Sequence, residues 1–141
     1  MIGKIYSSIT PFYDSKKCIN SFKRRPVLIT GGPRNNDYTI LPVSTITRKE
    51  NIDPDFDVKV EPEQYPNINL DRISYIRTHK QTIVHQSSLS KEIGDLKTEY
   101  EELYLLVLEK LEEFNKRMMH FEMTEKVDFF TRRDVWNIAS H

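Results

Sequence analysis

Three consecutive cations, Lys23, Arg24 and Arg25, run straight into the apolar stretch Pro-Val-Leu-Ile-Thr at positions 26–30. Like charges this close repel, so an anionic partner is a reason to keep them. Guanidinium groups suit phosphate in particular, because each stays protonated and offers a planar fork of donors. On composition alone the same residues read as solvated charges at a strand end. His79 and His85 invite a second reading, an imidazole acid–base pair. Six residues apart on an extended segment, they would stand about 20 Å from one another at about 3.3 Å per residue, too far to serve one phosphate. Metal chemistry finds no frame: one cysteine and four scattered histidines give no zinc spacing. The acids between Asp53 and Asp57 lack the glycine turn and bidentate glutamate of a calcium loop, and Gly31 to Arg34 lacks the Lys-Ser/Thr ending of a phosphate loop. No cofactor is expected.

The elements that must hold these residues fit one domain, since 141 residues supply a single hydrophobic core. The net charge is zero, but blocks of opposite sign cancel to give it. Residues 1–50 carry a balance of +6, residues 51–75 of −4, residues 76–97 of +2, residues 98–125 of −5 and the last sixteen of +1. The basic excess therefore sits in the N-terminal third and around Arg77. No apolar run nears the roughly 20 residues that span a bilayer. The N-terminus lacks a long apolar secretory region and Cys18 has no partner for an internal disulfide, so the expected address is cytoplasmic, with no membrane association.

Short β-branched or alternating runs predict strands at Lys4–Ser8, Pro26–Thr30, Tyr38–Ser44, Phe56–Val60 and Arg72–Ile76, with a sixth at Gln81–His85. The Gly-, Pro- and Asn-rich segment between the second and third predicts a hairpin. Thr98 with Glu101 forms a capping-box pattern, and apolar residues from Tyr100 to Phe121 recur at three- and four-residue steps, which predicts a long amphipathic helix. Gly94, with Leu89, Ile93 and Leu96 around it, suggests a short helical turn before that cap. Strands first and one main helix last make an α+β arrangement around a small curved antiparallel sheet or partly closed barrel.

Four segments in order resemble the MazF/PemK-like toxin family, the ribonuclease (mRNA interferase) components of bacterial toxin–antitoxin pairs. Gly3–Tyr6 is similar to the family's opening Gly-Asp-Ile-Tyr strand, and Arg25–Ile29 to its Arg-Pro-Val-Leu-Val strand. Leu41–Thr45 resembles its Pro-Ile-Thr strand end, and Ile73–Thr78 its Ile-Arg-Thr strand. The resemblance implies a small SH3-like antiparallel β-barrel with a long C-terminal α-helix, paired into a homodimer. It further implies metal-independent cleavage of single-stranded RNA, by attack of a ribose 2′-oxygen on the adjacent phosphorus, and a cognate antitoxin whose acidic segment covers the RNA groove.

Carried over by position, Arg25 falls on the family's catalytic arginine and Ser44 on a position usually held by a threonine. The order here is Ser-Thr, so Thr45 supplies the hydroxyl instead if the strand end is shifted by one residue; only one of the two can face the site. Arginine suits stabilisation of charge on a five-coordinate phosphorus but not proton abstraction, which leaves the general base unnamed. Lys16 and Lys17 fall in the segment that forms a mobile flap in this family and, with Lys23 and Arg24, are candidates for phosphate contact. Phe12 and Tyr13 read as core before they read as base-stacking. The resemblance gives Arg77 a structural or RNA-facing role, and His79, two residues on, is the likelier histidine to meet RNA. Residues 1–121 form the expected toxin domain and 122–141 an extension packed on the domain or the dimer, with Phe129, Phe130, Val135 and Trp136 as its apolar contacts. Trp136 to Ile138 faintly echo the Trp-Gly-Ile ending of the gyrase-poisoning relative of this fold. The competing functional class is an inactive RNA- or protein-binding module of the same fold.

Overall fold

The computed structural model describes the backbone of residues 1–140 and the side chains of residues 1–120 and Met123. Seven strands precede the helices: β1 (Lys4–Asp14), β2 (Ile19–Arg34), β3 (Asp37–Ser44), β4 (Asp57–Val60), β5 (Ser74–Arg77), β6 (Thr82–His85) and β7 (Leu89–Asp95). They form one antiparallel sheet in the order β4-β5-β3-β2-β1-β7, with β6 also paired to β3. The sheet curls into a half-barrel closed by α1 (Leu96–Glu99) and the start of α2 (Glu101–Ser140). All six expected strands are present, and the β2–β3 hairpin turns at Asn35 and Asn36, both with positive φ, as asparagine permits.

The sheet is apolar on both faces. Ile5, Leu28, Leu41, Val43, Val58, Val60 and Ile76 fill the main core together with Leu103, Tyr104 and Val107 of α2. Val27, Ile29, Tyr38 and Ile40 form a second cluster on the opposite face, covered by Tyr6, Val84 and Leu89. This explains why Val27, Leu28 and Ile29 are buried consecutively: alternate side chains enter different clusters. Further along α2, Phe114 meets Phe56 edge to face, with ring centroids 5.1 Å apart.

Two local expectations are corrected. Residues 89–95 are a strand, not a helical turn, and this strand pairs with β1. Its pairing shifts register on either side of Tyr6, so the period-two signal is broken and the remaining Leu89–Ile93 spacing mimics a helix. The long helix α2 starts at Glu101, and before it the separate four-residue helix α1 starts at Leu96 and takes the expected cap Thr98 into its interior. Asp95 is the cap, its Oδ1 accepting from the Thr98 N–H at 3.1 Å. Fully buried Leu96 fixes that start, with its N–H donating to the Gly3 carbonyl at 2.8 Å. The backbone of the C-terminal extension continues α2 and makes no second helix. The expected contacts of Phe129, Phe130, Val135 and Trp136, and the Trp136–Ile138 echo, lie outside the described side chains. None of the described helices is long and apolar enough to cross a membrane.

Candidate active site

β2 and β3 leave their turn as neighbours and part before they end. Their pairing runs to Leu28 opposite Leu41 and Val27 opposite Pro42 and goes no further. On its other edge β3 stays paired to its end, with Val43 opposite Ile76 and Ser44 opposite Tyr75 of β5. Pro26 accounts for the point of parting. The Gly3 N–H donates to the Ile29 carbonyl at 2.7 Å, so odd-numbered residues in this part of β2 turn their backbone groups towards the β1 side. By alternation the even-numbered ones face β3. The rung after Leu28 would need an N–H at position 26, which proline lacks. Between the separated strands lies a cleft of about 340 Å³, with Arg24, Arg25 and Pro26 on one side and Val43, Ser44 and Thr45 on the other. Ser74 completes the lining.

The residues of the cleft match in pairs. Leu28, Leu41 and Val43 point into the main core, whereas Val27, Ile29 and Ile40 point to the second cluster. Alternation then puts Arg25 and Ser44 on the second-cluster face, and Arg24 and Thr45 on the main-core face. Of the two hydroxyls, Ser44 is therefore the one that shares a face with Arg25. Arg24 and Thr45 also border an adjoining cavity to which Arg25 and Ser44 do not contribute.

Arg24 and Arg25 are both exposed, and among the described residues neither guanidinium has a hydrogen bond or ion pair. Two cations with no partner among the described residues, beside three hydroxyl side chains, have the charge and donor geometry suited to an anion. Among the described residues, no carboxylate, histidine, cysteine or lysine lines the cleft. The described residues contain no cluster of metal-ligating side chains.

The remaining basic candidates are spread along the molecule. Lys23 lies on the arm formed by the outer halves of β1 and β2, its Nζ 4.6 Å from the centre of the Phe12 ring. Lys16 and Lys17 sit in the turn at the tip, where Asp14 Oδ1 accepts their N–H groups at 3.0 and 3.3 Å. The tip stands about 20 Å beyond the cleft, since Ser8 opposite Arg25 is six residues from Asp14 opposite Ile19. The expected flap is thus a paired β-hairpin. Phe12 and Tyr13 are not core, as Tyr13 is 62% exposed. β7 stops pairing at Ser8 and β3 at Val27, so among the described residues no further strand pairs with the arm.

Arg77 and His79 are not brought to the cleft. They lie at and beyond the end of β5 remote from Ser74. Arg77 Nε donates to Asp57 Oδ1 at 3.2 Å and its Nη2 to the Asn51 carbonyl at 3.2 Å. The Asp57 side chain is fully buried. His79 Nδ1 is 3.7 Å from the same carboxylate oxygen, beyond hydrogen-bond reach. Its ring packs on Phe56 and Phe114. Of the two roles left open for Arg77, its contacts are those of the structural one. His85 is equally remote from the chemistry, its Nδ1 accepting from the Ser87 N–H.

Asn69, Asp71 and Arg72, which line the adjoining cavity, were not legible as site residues. The sequence pattern puts Arg72 in a strand, whereas the strand begins only at Ser74 and Arg72 belongs to the exposed loop before it.

The chain matches the family model described as PemK-like, MazF-like toxin of type II toxin–antitoxin system over residues 14–114. Among solved structures it is similar in fold to Mycobacterium tuberculosis toxin MazF-mt6, with a TM-score of 0.55 at 18% identity. That likeness covers 79% of this chain and 96% of the other. No curated protein matches the sequence.

Proposed function

The chain belongs to the PemK-like, MazF-like family of type II toxins, and from that membership we propose that it is an endoribonuclease acting on single-stranded RNA. The observation that carries this reading is the open cleft in which Arg25, with no protein partner, shares a face with Ser44. In the proposed reaction the ribose 2′-oxygen bonds to the adjacent phosphorus and loses its proton, while the bond from phosphorus to the 5′-oxygen breaks and that oxygen gains a proton. The products are a 2′,3′-cyclic phosphate and a 5′-hydroxyl. Because the nucleophile belongs to the substrate, the protein's task is to align it and to stabilise charge. Arg25 spans the non-bridging oxygens as their charge grows, and the Ser44 hydroxyl donates to one of them or orients the 2′-hydroxyl. Arg24, Lys23 and the tip lysines Lys16 and Lys17 hold flanking phosphates. This chemistry calls for no metal. The proposed partners are messenger RNA, a second copy of the chain in a homodimer, and an antitoxin with an acidic segment that covers the same cations; the setting is the cytoplasm.

The test is incubation of the purified protein with a long single-stranded RNA in EDTA, beside an Arg25→Ala control. Discrete fragments ending in a cyclic phosphate, absent from the control, are expected. Intact RNA that is nonetheless bound favours the second reading, a binding module of the same fold. One observation favours that alternative: among the described residues lining the cleft, none is suited to act as general base.

A further inference from the structure

Next to the cleft lies a second cavity of about 460 Å³, joined to it through Arg24, Pro26, Thr45 and Ser74. Its inner lining is mixed, with half-buried Pro26, Leu70 and Ile93 beside the half-buried Ser7 and the buried Ser74, and its exposed lining is polar, from Arg24, Thr45, Asn69, Asp71 and Arg72. Among the described residues the side chains of Asn69, Asp71 and Arg72 have no hydrogen bond or ion pair, although opposite charges stand at adjacent positions. Apolar side chains from Pro26, Leu70 and Ile93 beneath an unsatisfied polar rim fit a flat aromatic heterocycle, whose faces pack and whose edge hydrogen-bonds. A chain that occupies the cleft with one phosphate places its neighbouring base within reach of this cavity.

The rim is also held in place. The Asn69 N–H donates to the Ile93 carbonyl at 3.1 Å, and Ser74 Oγ donates to the Arg72 carbonyl at 3.0 Å. Upstream, the Asn67 N–H donates to Tyr100 Oη at 3.0 Å, and Ile68 is buried against Gly94. A Cβ at position 94 would meet Ile68 Cγ1 at 3.1 Å, so glycine is what lets the loop seat this closely. The loop is anchored on both sides while its polar ends stay free, which is pre-organisation for a ligand.

We infer that this cavity is the subsite for a guanine base beside the scissile phosphate, read by Asp71 and Arg72. The proposal rests on the ribonuclease reading above for its substrate class. A carboxylate accepts two parallel donors, and a guanidinium gives two. Guanine alone among the four RNA bases answers both, offering N1–H and N2–H to a carboxylate and O6 and N7 to a guanidinium. Cytosine, adenine and uracil each lack the paired donors. Asn69 supplies an amide on the same rim, and Leu70 and Pro26 pack against the ring.

The experiment measures binding of the full chain to short 2′-O-methyl oligouridines that carry one central guanine, adenine or cytosine, with the all-uridine strand as reference. The 2′-O-methyl group blocks cleavage, so binding is read whether or not the protein is an enzyme. The guanine strand is expected to bind roughly 10- to 100-fold more tightly. Asp71→Ala and Arg72→Ala should each erase most of that preference while leaving affinity for the uridine strand within a few-fold, with unchanged circular dichroism confirming the fold. Equal binding of all four strands overturns the proposal, as does a guanine preference that survives both substitutions. If guanine is preferred but ordinary RNA stays intact, the subsite stands and the enzymatic reading falls. If RNA is cleaved without any guanine preference, the reverse holds.

Discussion

Ser8 stands directly opposite Arg25 on the neighbouring strand, and the Ser8 hydroxyl is buried without a hydrogen-bond partner. The exposed cation of the cleft is thus backed by an unsatisfied polar atom. A buried hydroxyl with no partner costs roughly 1–3 kcal/mol relative to water. Replacing Ser8 with Ala should therefore leave stability unchanged or raise it by up to about 1 kcal/mol. Denaturant titration checks this, and RNA cleavage should be unaffected.

Arg25 and Ser44 share a face of the cleft, whereas Thr45 belongs with Arg24. Arg25→Ala is expected to lower the cleavage rate about 10²- to 10³-fold, the usual effect of removing a donor to developing charge. Arg25→Lys should recover only part of it, because the fork geometry is lost. Ser44→Ala should cost more in rate than Thr45→Ala. The opposite order, measured in single-turnover cleavage, would move the site to the main-core face.

The Arg77–Asp57 contact predicts a loss of stability and not a direct loss of RNA affinity. Asp57 is fully buried, and Arg77→Ala leaves its carboxylate without that cation. Breaking such a pair from one side typically costs about 3–5 kcal/mol. Thermal melting should show the drop, whereas Arg24→Ala, which removes an exposed and unpartnered group, should barely move the midpoint while weakening RNA binding.

Burial pushes the Tyr104 hydroxyl above the ordinary tyrosine range. A group whose folded pKa is raised binds its proton more tightly in the native state. Its contribution to stability is fully present below about pH 10, the unfolded value, and is lost as pH climbs through the higher folded value. Stability should fall steeply in that alkaline window, and Tyr104→Phe should flatten the fall. Absorbance of tyrosinate followed alongside unfolding measures it.

Much of this molecule is legible before any coordinates. The strands around Val27–Ile29 and Tyr38–Val43 declare themselves because β-branched residues and turn chemistry coincide, and the cations at 24 and 25 mark the cleft by their types alone. What escapes is non-local. β7 hides because its register with β1 is broken at Tyr6, so no simple period survives. The short helix capped by Asp95 is masked because Thr98, which reads as the cap of the long helix, lies inside it, and burial of Leu96 against the sheet fixes where it starts. Arg77 and His79 look like substrate ligands until the fold brings Asp57 and Phe114, far away in sequence, against them. The hairpin arm is legible as a basic segment but not as paired strands, because neither face is buried and no apolar alternation results.

At position 26 the chain carries a built-in stop to the zipper. The cations and hydroxyls of the proposed reaction are all kept when one amide hydrogen is restored there, yet the two strands are then free to pair across the mouth. The width of the opening is set by a proton that is not there, so Pro26→Ala should behave like a gate mutation: an intact, well-folded barrel with its reactive groups zipped out of reach.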